Sequence, residues 1–138
     1  MKISTTLLAL TLITSATVLH ADEDSPLEKQ MQILARGMKH LSLQIADPAK
    51  QQENVTLIES LKQAAAASKG LDPRKTSSIP KANQEKFLTG YRAEMDKLTD
   101  ACNRVEGAVK AGQYDEAKSD LAAVNSVKKE GHGEFKAD

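Results

Sequence analysis

Several residue types and patterns are scarce in this 138-residue chain, and their absence narrows its class. Tryptophan is missing, phenylalanine and tyrosine occur twice each, and there are only four prolines. The single cysteine, Cys102, excludes a fold held by internal disulfides. The 19 basic residues balance the 19 acidic ones without forming a Lys/Arg cluster, so the sequence gives no nucleic-acid footprint.

The residues that are abundant point to helices. Ala, Leu, Lys, Glu and Gln dominate, runs of β-branched residues are absent after the first 20 positions, and the length suits one domain. A free cysteine among such residues is usually a small buried hydrophobe, with an intermolecular disulfide as the minor alternative.

The first 21 residues, "MKISTTLLALTLITSATVLHA", form a predicted secretory signal peptide. Lys2 supplies the positive start, Leu7–Ile13 the apolar segment, and Ala21 a small residue before the cut, while cleavage after Ala16 stays open. The alternative is an uncleaved anchor, for which the apolar run is short. We therefore expect an exported protein, without stable membrane association, whose folded part is residues 22–138.

Four segments carry one apolar stripe each, with apolar side chains recurring every three or four residues. The predicted helices are 26–46, 48–69, 81–111 and 114–136. The predicted loop, 71–80, divides them into two hairpins. Asp24 or Ser25 is the expected first N-cap, Asp47 the second, and Gly70 and Gly112 are expected C′ residues. Short links between long amphipathic helices predict an all-α, up-down-up-down antiparallel four-helix bundle. In that topology the start of the first helix, the end of the fourth and the 71–80 loop share one end.

Of the three histidines, only His132 falls on an apolar stripe. His20 lies in the predicted signal peptide, and His40 is about half a turn away from the stripe of its own helix. Met31 lies about five residues into the first helix and His132 about five from the end of the last, so an antiparallel arrangement brings them level. Each alone is more often structural than functional, but together they place a thioether opposite an imidazole.

Other residues surround this pair at the same level. Tyr91 is level with His132, Phe87 lies one turn further out, and Lys128 lies one turn before His132 on the same stripe. The ammonium group of Lys128 would reach over the edge of a bound ring toward an acidic group on that ring, or would simply reach solvent. The glycines on either side of His132 would leave room for a flat ring, or would mark a fraying end.

Imidazole and thioether together are axial ligands of haem iron in electron-transfer cytochromes. With Met31 and His132 as the iron ligands, and with Phe87, Tyr91 and Lys128 around the ring, the pattern favours a haem carrier. Two protein ligands leave iron no open position for a substrate, so we expect no enzyme activity. The sequence contains no CxxCH, Glu-x-x-His, HExxH or phosphate-loop motif, which disfavours covalent haem attachment, a di-iron enzyme and nucleotide binding.

Four segments resemble the cytochrome b562 family: "LEKQMQIL" at 27–34, "FLTGY" at 87–91, "KAGQYDEAK" at 110–118 and "KKEGHGEFK" at 128–136. The resemblance implies a monomeric periplasmic cytochrome holding one non-covalent haem b, with Met31 and His132 at its ligand positions. Lys128 stands where family members can carry arginine. The redox partners are not identified. Two alternatives are a haem-free exported bundle that acts as a binding or stress-response module, and a peroxidase-like haem enzyme with one labile ligand.

Overall fold

The computed structural model describes residues 24–137, so the predicted signal peptide lies outside the described residues. Within this range the regular structure is entirely helical, which confirms the predicted antiparallel four-helix bundle. The α-helices are α1 (Pro26–Gln44), α2 (Gln51–Lys69), α3 (Lys81–Lys110) and α4 (Tyr114–Phe135). Two short 3₁₀ helices, Pro48–Lys50 and Arg74–Ser78, lie in the connections; the second is called the 74–78 turn below.

The start of α1 resolves the choice between two expected caps in favour of Ser25. The backbone N–H of Glu28 donates to Ser25 Oγ at 3.2 Å, and the backbone N–H of Ser25 donates to Glu28 Oε2 at 2.6 Å. This reciprocal capping box satisfies two of the N–H groups that a helix start leaves without intrahelical partners.

Two other predicted boundaries differ from the structure. Asp47 caps the short 3₁₀ helix, accepting from Ala49 N at 2.9 Å, so α2 begins at Gln51 and not at residue 48. Gly70 is the C-cap of α2 with a right-handed backbone, φ −86°, so it does not take the left-handed C′ conformation. Gly112 does take that conformation, with φ 71°, and turns the chain between α3 and α4 as predicted.

All four helices contribute buried side chains to one continuous core. The largest apolar side chains that are almost fully buried are Leu41, Ile58, Leu61, Val105, Val109 and Val124. Cys102 is 1% exposed, and burial raises the pKa of its thiol to about 11. The effects of Lys62, which lowers this pKa, and of Glu106, which raises it, are smaller. The interpretation of Cys102 as a small buried hydrophobe is confirmed.

Consecutive helices in the chain pack against each other along the described part of the bundle: α1 on α2, α2 on α3, and α3 on α4. Within residues 24–137, α1 and α4 are also neighbours by topology, but their backbones approach each other far less closely. The side of the bundle between α1 and α4 is therefore its least closed side.

None of the helices in residues 24–137 combines the length and the apolarity needed to cross a bilayer.

Candidate functional site

Met31 lies on the side of α1 that is turned away from α2. The α2 side is marked by Gly37, where an added Cβ would lie 2.6 Å from Leu61 Cδ2, and by Gln44, whose Nε2 donates to Asn54 Oδ1 at 2.9 Å. At about 100° per residue, Met31 is about 120° around the helix from Gly37, beyond the centre of the apolar stripe. It is partly buried against the core, and its position on the helix predicts that it lies on the flank toward α4.

His132 lies on the side of α4 that is turned away from α3. Its neighbour Gly131 faces α3, because a Cβ there would lie 3.2 Å from Glu94 Cγ. One further residue turns the helix by about 100°, across the stripe that ends at Phe135 and onto the flank toward α1. From this helix geometry we expect Met31 and His132 to lie on facing flanks of α1 and α4, the neighbouring helices that pack least closely.

The burial of His132 differs from the expectation. The sequence pattern predicts that it points inward, but its side chain is exposed, whereas Phe135, one turn further along α4, is 8% exposed. The reason is that His132 lies at the edge of the buried arc and α1 does not come close enough to cover it. His40 is also exposed, as predicted, with an exposed fraction of 52%.

The 74–78 turn contacts the ends of α1 and α4 near these two residues. Arg74 Nη2 donates to Glu28 Oε2 at 2.9 Å, in the first turn of α1, and Lys75 Nζ donates to the backbone oxygen of Glu134 at 2.9 Å, in the last turn of α4. Met31 is about 4.5 Å deeper than Glu28, and the residue two before Glu134 is about 3 Å deeper than Glu134. These offsets accord with the prediction that the thioether and the imidazole lie at similar depths, which stays a prediction.

The surroundings of His132 favour the neutral imidazole. Partial burial is the first cause that lowers its pKa below 6.5, and the ammonium groups of Lys128 and Lys136 lower it further. These lysines are four residues before and four after His132, so all three side chains form one stripe. Lys128 is half-buried, consistent with an aliphatic stem on the bundle and an ammonium group reaching out. A neutral imidazole has the free lone pair that a metal ligand needs.

The predicted aromatic neighbours lie on the α3 side of this end. Phe87 and Tyr91 both contact Phe135, with ring centroids 5.2 Å and 5.7 Å apart. Tyr91 is 3% exposed, its hydroxyl donates to the backbone oxygen of Ser68 at 2.7 Å, and burial, with a smaller effect of Asp72, raises its pKa to about 12. Tyr91 thus joins α2 to α3, while Phe87 is only partly buried.

Sequence reasoning missed three residues of this end. Phe135 completes the aromatic cluster, and its position one turn after His132 on the same stripe was the available signal. Arg74 and Lys75 link α1 to α4. The sequence does not indicate which distant residues a basic loop residue will contact.

The residues between α1 and α4 fit a haem by their donor chemistry. The set comprises a soft thioether, an imidazole whose pKa is lowered, and flanking lysines that could supply positive charge for carboxylates. Residues 24–137 contain no group of three or more His, Cys, Asp and Glu side chains that could hold a metal ion by themselves.

Comparison with known proteins gave one match. The family model described as Cytochrome b562 matches residues 26–136, which include all four helices. No curated protein and no solved structure matched the chain.

Proposed function

Because the chain belongs to the cytochrome b562 family, we propose that it is a periplasmic electron carrier that binds one non-covalent haem b, with Met31 and His132 as the axial ligands. The family consists of haem-binding, electron-transfer helical bundles. The chain's own residues supply the arguments for the ligands.

One argument supports the proposal: helix geometry, referenced to the contacts of Gly37 and Gly131, puts Met31 on the flank of α1 away from α2 and His132 on the flank of α4 away from α3, and α1 and α4 are the neighbouring helices that pack least closely. The backbones of α1 and α4 approach each other less closely than those of consecutive helices, so a ring held between these two helices would displace less packing than one held elsewhere. The exposure of His132 accords with this role, because a ligand side chain needs a free nitrogen rather than a buried, packed ring.

Each residue has a role that follows from its chemistry. Haem supplies a one-electron ferric/ferrous couple when bound. Met31, a soft ligand, would favour the ferrous state, and His132 would bind through an imidazole nitrogen, in keeping with a pKa that burial lowers first. Lys128 and Lys136 would offer positive charge to propionates, and Phe87 and Tyr91 would support the apolar side of the site through Phe135, which both contact. With both axial positions filled by side chains, the site passes electrons rather than transforming a substrate.

The periplasmic location rests on the predicted signal peptide at residues 1–21. The positive residue Lys2 and the apolar Leu7–Ile13 segment have the order of a secretory signal. Secretion of a fusion that carries residues 1–21, compared with one that begins at residue 22, tests this part.

Haemin titration of the purified folded chain tests the ligands. We expect one equivalent to bind with the sharp reduced bands of six-coordinate low-spin haem. His132→Ala should abolish these bands while His40→Ala keeps them, because His40 lies on the solvent side of α1. Met31→Leu should give a five-coordinate high-spin form while Met38→Leu, on a buried residue deeper in the bundle, keeps the low-spin form.

Three results would contradict the proposal. A chain that does not bind haemin would favour the haem-free binding module. Equal spectra for the His132 and His40 variants would show that the ligand assignment is wrong. Ready binding of carbon monoxide to the reduced form would show a labile ligand and favour an enzyme.

A further inference from the structure

Two consecutive residues of the 74–78 turn connect two helices that are far apart in the sequence. Arg74 forms an ion pair with Glu28 of α1 at 2.9 Å, and Lys75 hydrogen-bonds to the backbone oxygen of Glu134 in α4 at 2.9 Å. One short turn therefore holds the first turn of α1 and the last turn of α4 at the same time.

Both attachment points are themselves fixed in place. Glu28 Oε2, which accepts from Arg74, also accepts from the backbone N–H of Ser25 in the capping box, so its position is tied to the start of α1. The backbone oxygen of Glu134 is among the last carbonyls of α4, which have no intrahelical partner, and Lys75 supplies one. Movement of the turn would therefore move the helix ends.

We propose that Arg74 and Lys75 are positioning residues that hold α1 and α4 at the separation and depth at which Met31 and His132 bind one iron. This inference rests on the proposed function. The two helices lack the close backbone packing that orients the consecutive helix pairs, so polar contacts at their ends have more influence on their spacing. Ligands that are spaced before the cofactor arrives bind it more tightly, because less ordering remains to be done.

The chain contains a matched control for this effect. Lys69 forms an ion pair with Asp96 at 2.7 Å, joining α2 to α3, and its exposed fraction of 43% is comparable to the 58% of Arg74. However, α2 and α3 already pack closely, so their relative position does not depend on this pair. Exposed pairs of both kinds stabilise a fold only weakly.

The experiment compares Arg74→Ala/Lys75→Ala with Lys69→Ala and with the conservative Arg74→Lys/Lys75→Arg. For the double alanine variant we expect about fivefold weaker haemin binding and a high-spin fraction in the ferric spectrum. The Lys69 variant should match the unmodified chain, and the conservative variant should recover the affinity and the low-spin spectrum. Before haemin is added, hydrogen exchange should be faster at the first turn of α1 and the last turn of α4 in the double alanine variant alone.

The outcomes separate this inference from the proposed function. If the unmodified chain does not bind haemin, the proposed function fails, and the hydrogen-exchange comparison still tests whether Arg74 and Lys75 hold the helix ends. If the chain binds haemin but the double alanine variant has the same affinity, spin state and exchange rates as the Lys69 variant, the positioning role is overturned. Weaker binding that the conservative variant does not recover would also overturn it.

Discussion

The two ends of the bundle are built differently. The closed end contains the turns at Asp47 and Gly112, and the open end contains the start of α1, the 74–78 turn and the end of α4. At the closed end Asn54 is fully buried and exchanges hydrogen bonds with Gln44, and Gln51 Nε2 donates to the backbone oxygen of Val109 at 2.7 Å. Polar groups there are paired as well as buried, which is the condition for stable burial.

The open end is less complete. Most of the apolar residues that are only partly buried against the core lie in this half: Leu27, Met31, Phe87 and Val127, with Leu57 in the other half. Glu94 is 5% exposed, and its Oε1 has no hydrogen-bond partner among the described residues, although Oε2 accepts from Lys97 at 2.9 Å. The closed end therefore buries and pairs its polar groups, whereas the open end leaves more of its apolar side chains partly uncovered.

The largest expected contrast is between two truncations in the haem-free chain. Ile58→Ala removes a side chain that is 0% exposed and leaves a cavity, so we expect a loss of about 3 kcal/mol in the free energy of unfolding. Met31→Ala removes a partly buried side chain and should cost only about 1 kcal/mol. Urea unfolding of both variants measures the difference.

Bound haem should change the loss of stability in one of the two variants only. When haemin is bound, the Met31 variant should lose far more stability relative to the unmodified chain, because bound haem stabilises the fold in proportion to its affinity. The cost of Ile58→Ala should not change. Equal costs of the two truncations in the haem-free chain would mean that the two ends are equally well packed.

The sequence predicts the helices of both ends because their apolar stripes, caps and turns are local signals. Ser25 and Gly112 act close to their own positions, so their roles follow from neighbouring residues. The prediction that Asp47 caps the second α-helix is wrong. A cap residue before Pro48 can begin either an α-helix or a 3₁₀ turn, and the local sequence suits both.

The site was predictable only in part, for a different reason. The helical wheel places Met31 and His132 near the core, but it does not reveal that α1 stays away from α4 and leaves His132 exposed. Whether a residue at the edge of a stripe is covered depends on the neighbouring helix. The contacts of Arg74 and Lys75 likewise depend on the fold. Arg74 is 46 positions along the chain from Glu28, and Lys75 is 59 positions from Glu134.

A smaller effect is expected from the charge cluster toward the closed end. Glu106 is 8% exposed and accepts from Lys110 and from Lys62, and these two hydrogen bonds, in that order, lower its pKa below 4.5. A carboxylate with a lowered pKa stabilises the fold above its unfolded-state value, and that contribution is lost as the pH falls through the folded-state value. Glu106→Gln should lower the free energy of unfolding at pH 7 by about 1 kcal/mol, since both lysines reach solvent.

The pH profile separates this effect from packing. Urea unfolding between pH 7 and pH 3 should show a shallower loss of stability for Glu106→Gln than for the unmodified chain, with the two curves converging at the acid end. Parallel curves for Glu106→Gln and the unmodified chain would show that its ion pairs contribute nothing.

The smallest expected effects come from three glycines near helix ends. Gly107 in α3 and Gly133 in α4 have open space where a Cβ would be, whereas a Cβ at Gly131 would lie 3.2 Å from Glu94 Cγ. Replacing Gly107 or Gly133 by alanine should raise the free energy of unfolding by about 0.5 kcal/mol, because alanine loses less backbone entropy in a helix. Gly131→Ala should gain nothing, because Glu94 is buried and has little freedom to shift. Thermal unfolding of the three haem-free variants measures the order, and a gain at Gly131 equal to that at Gly133 would show that α3 and α4 are less firmly packed at the open end than the Glu94 contact implies.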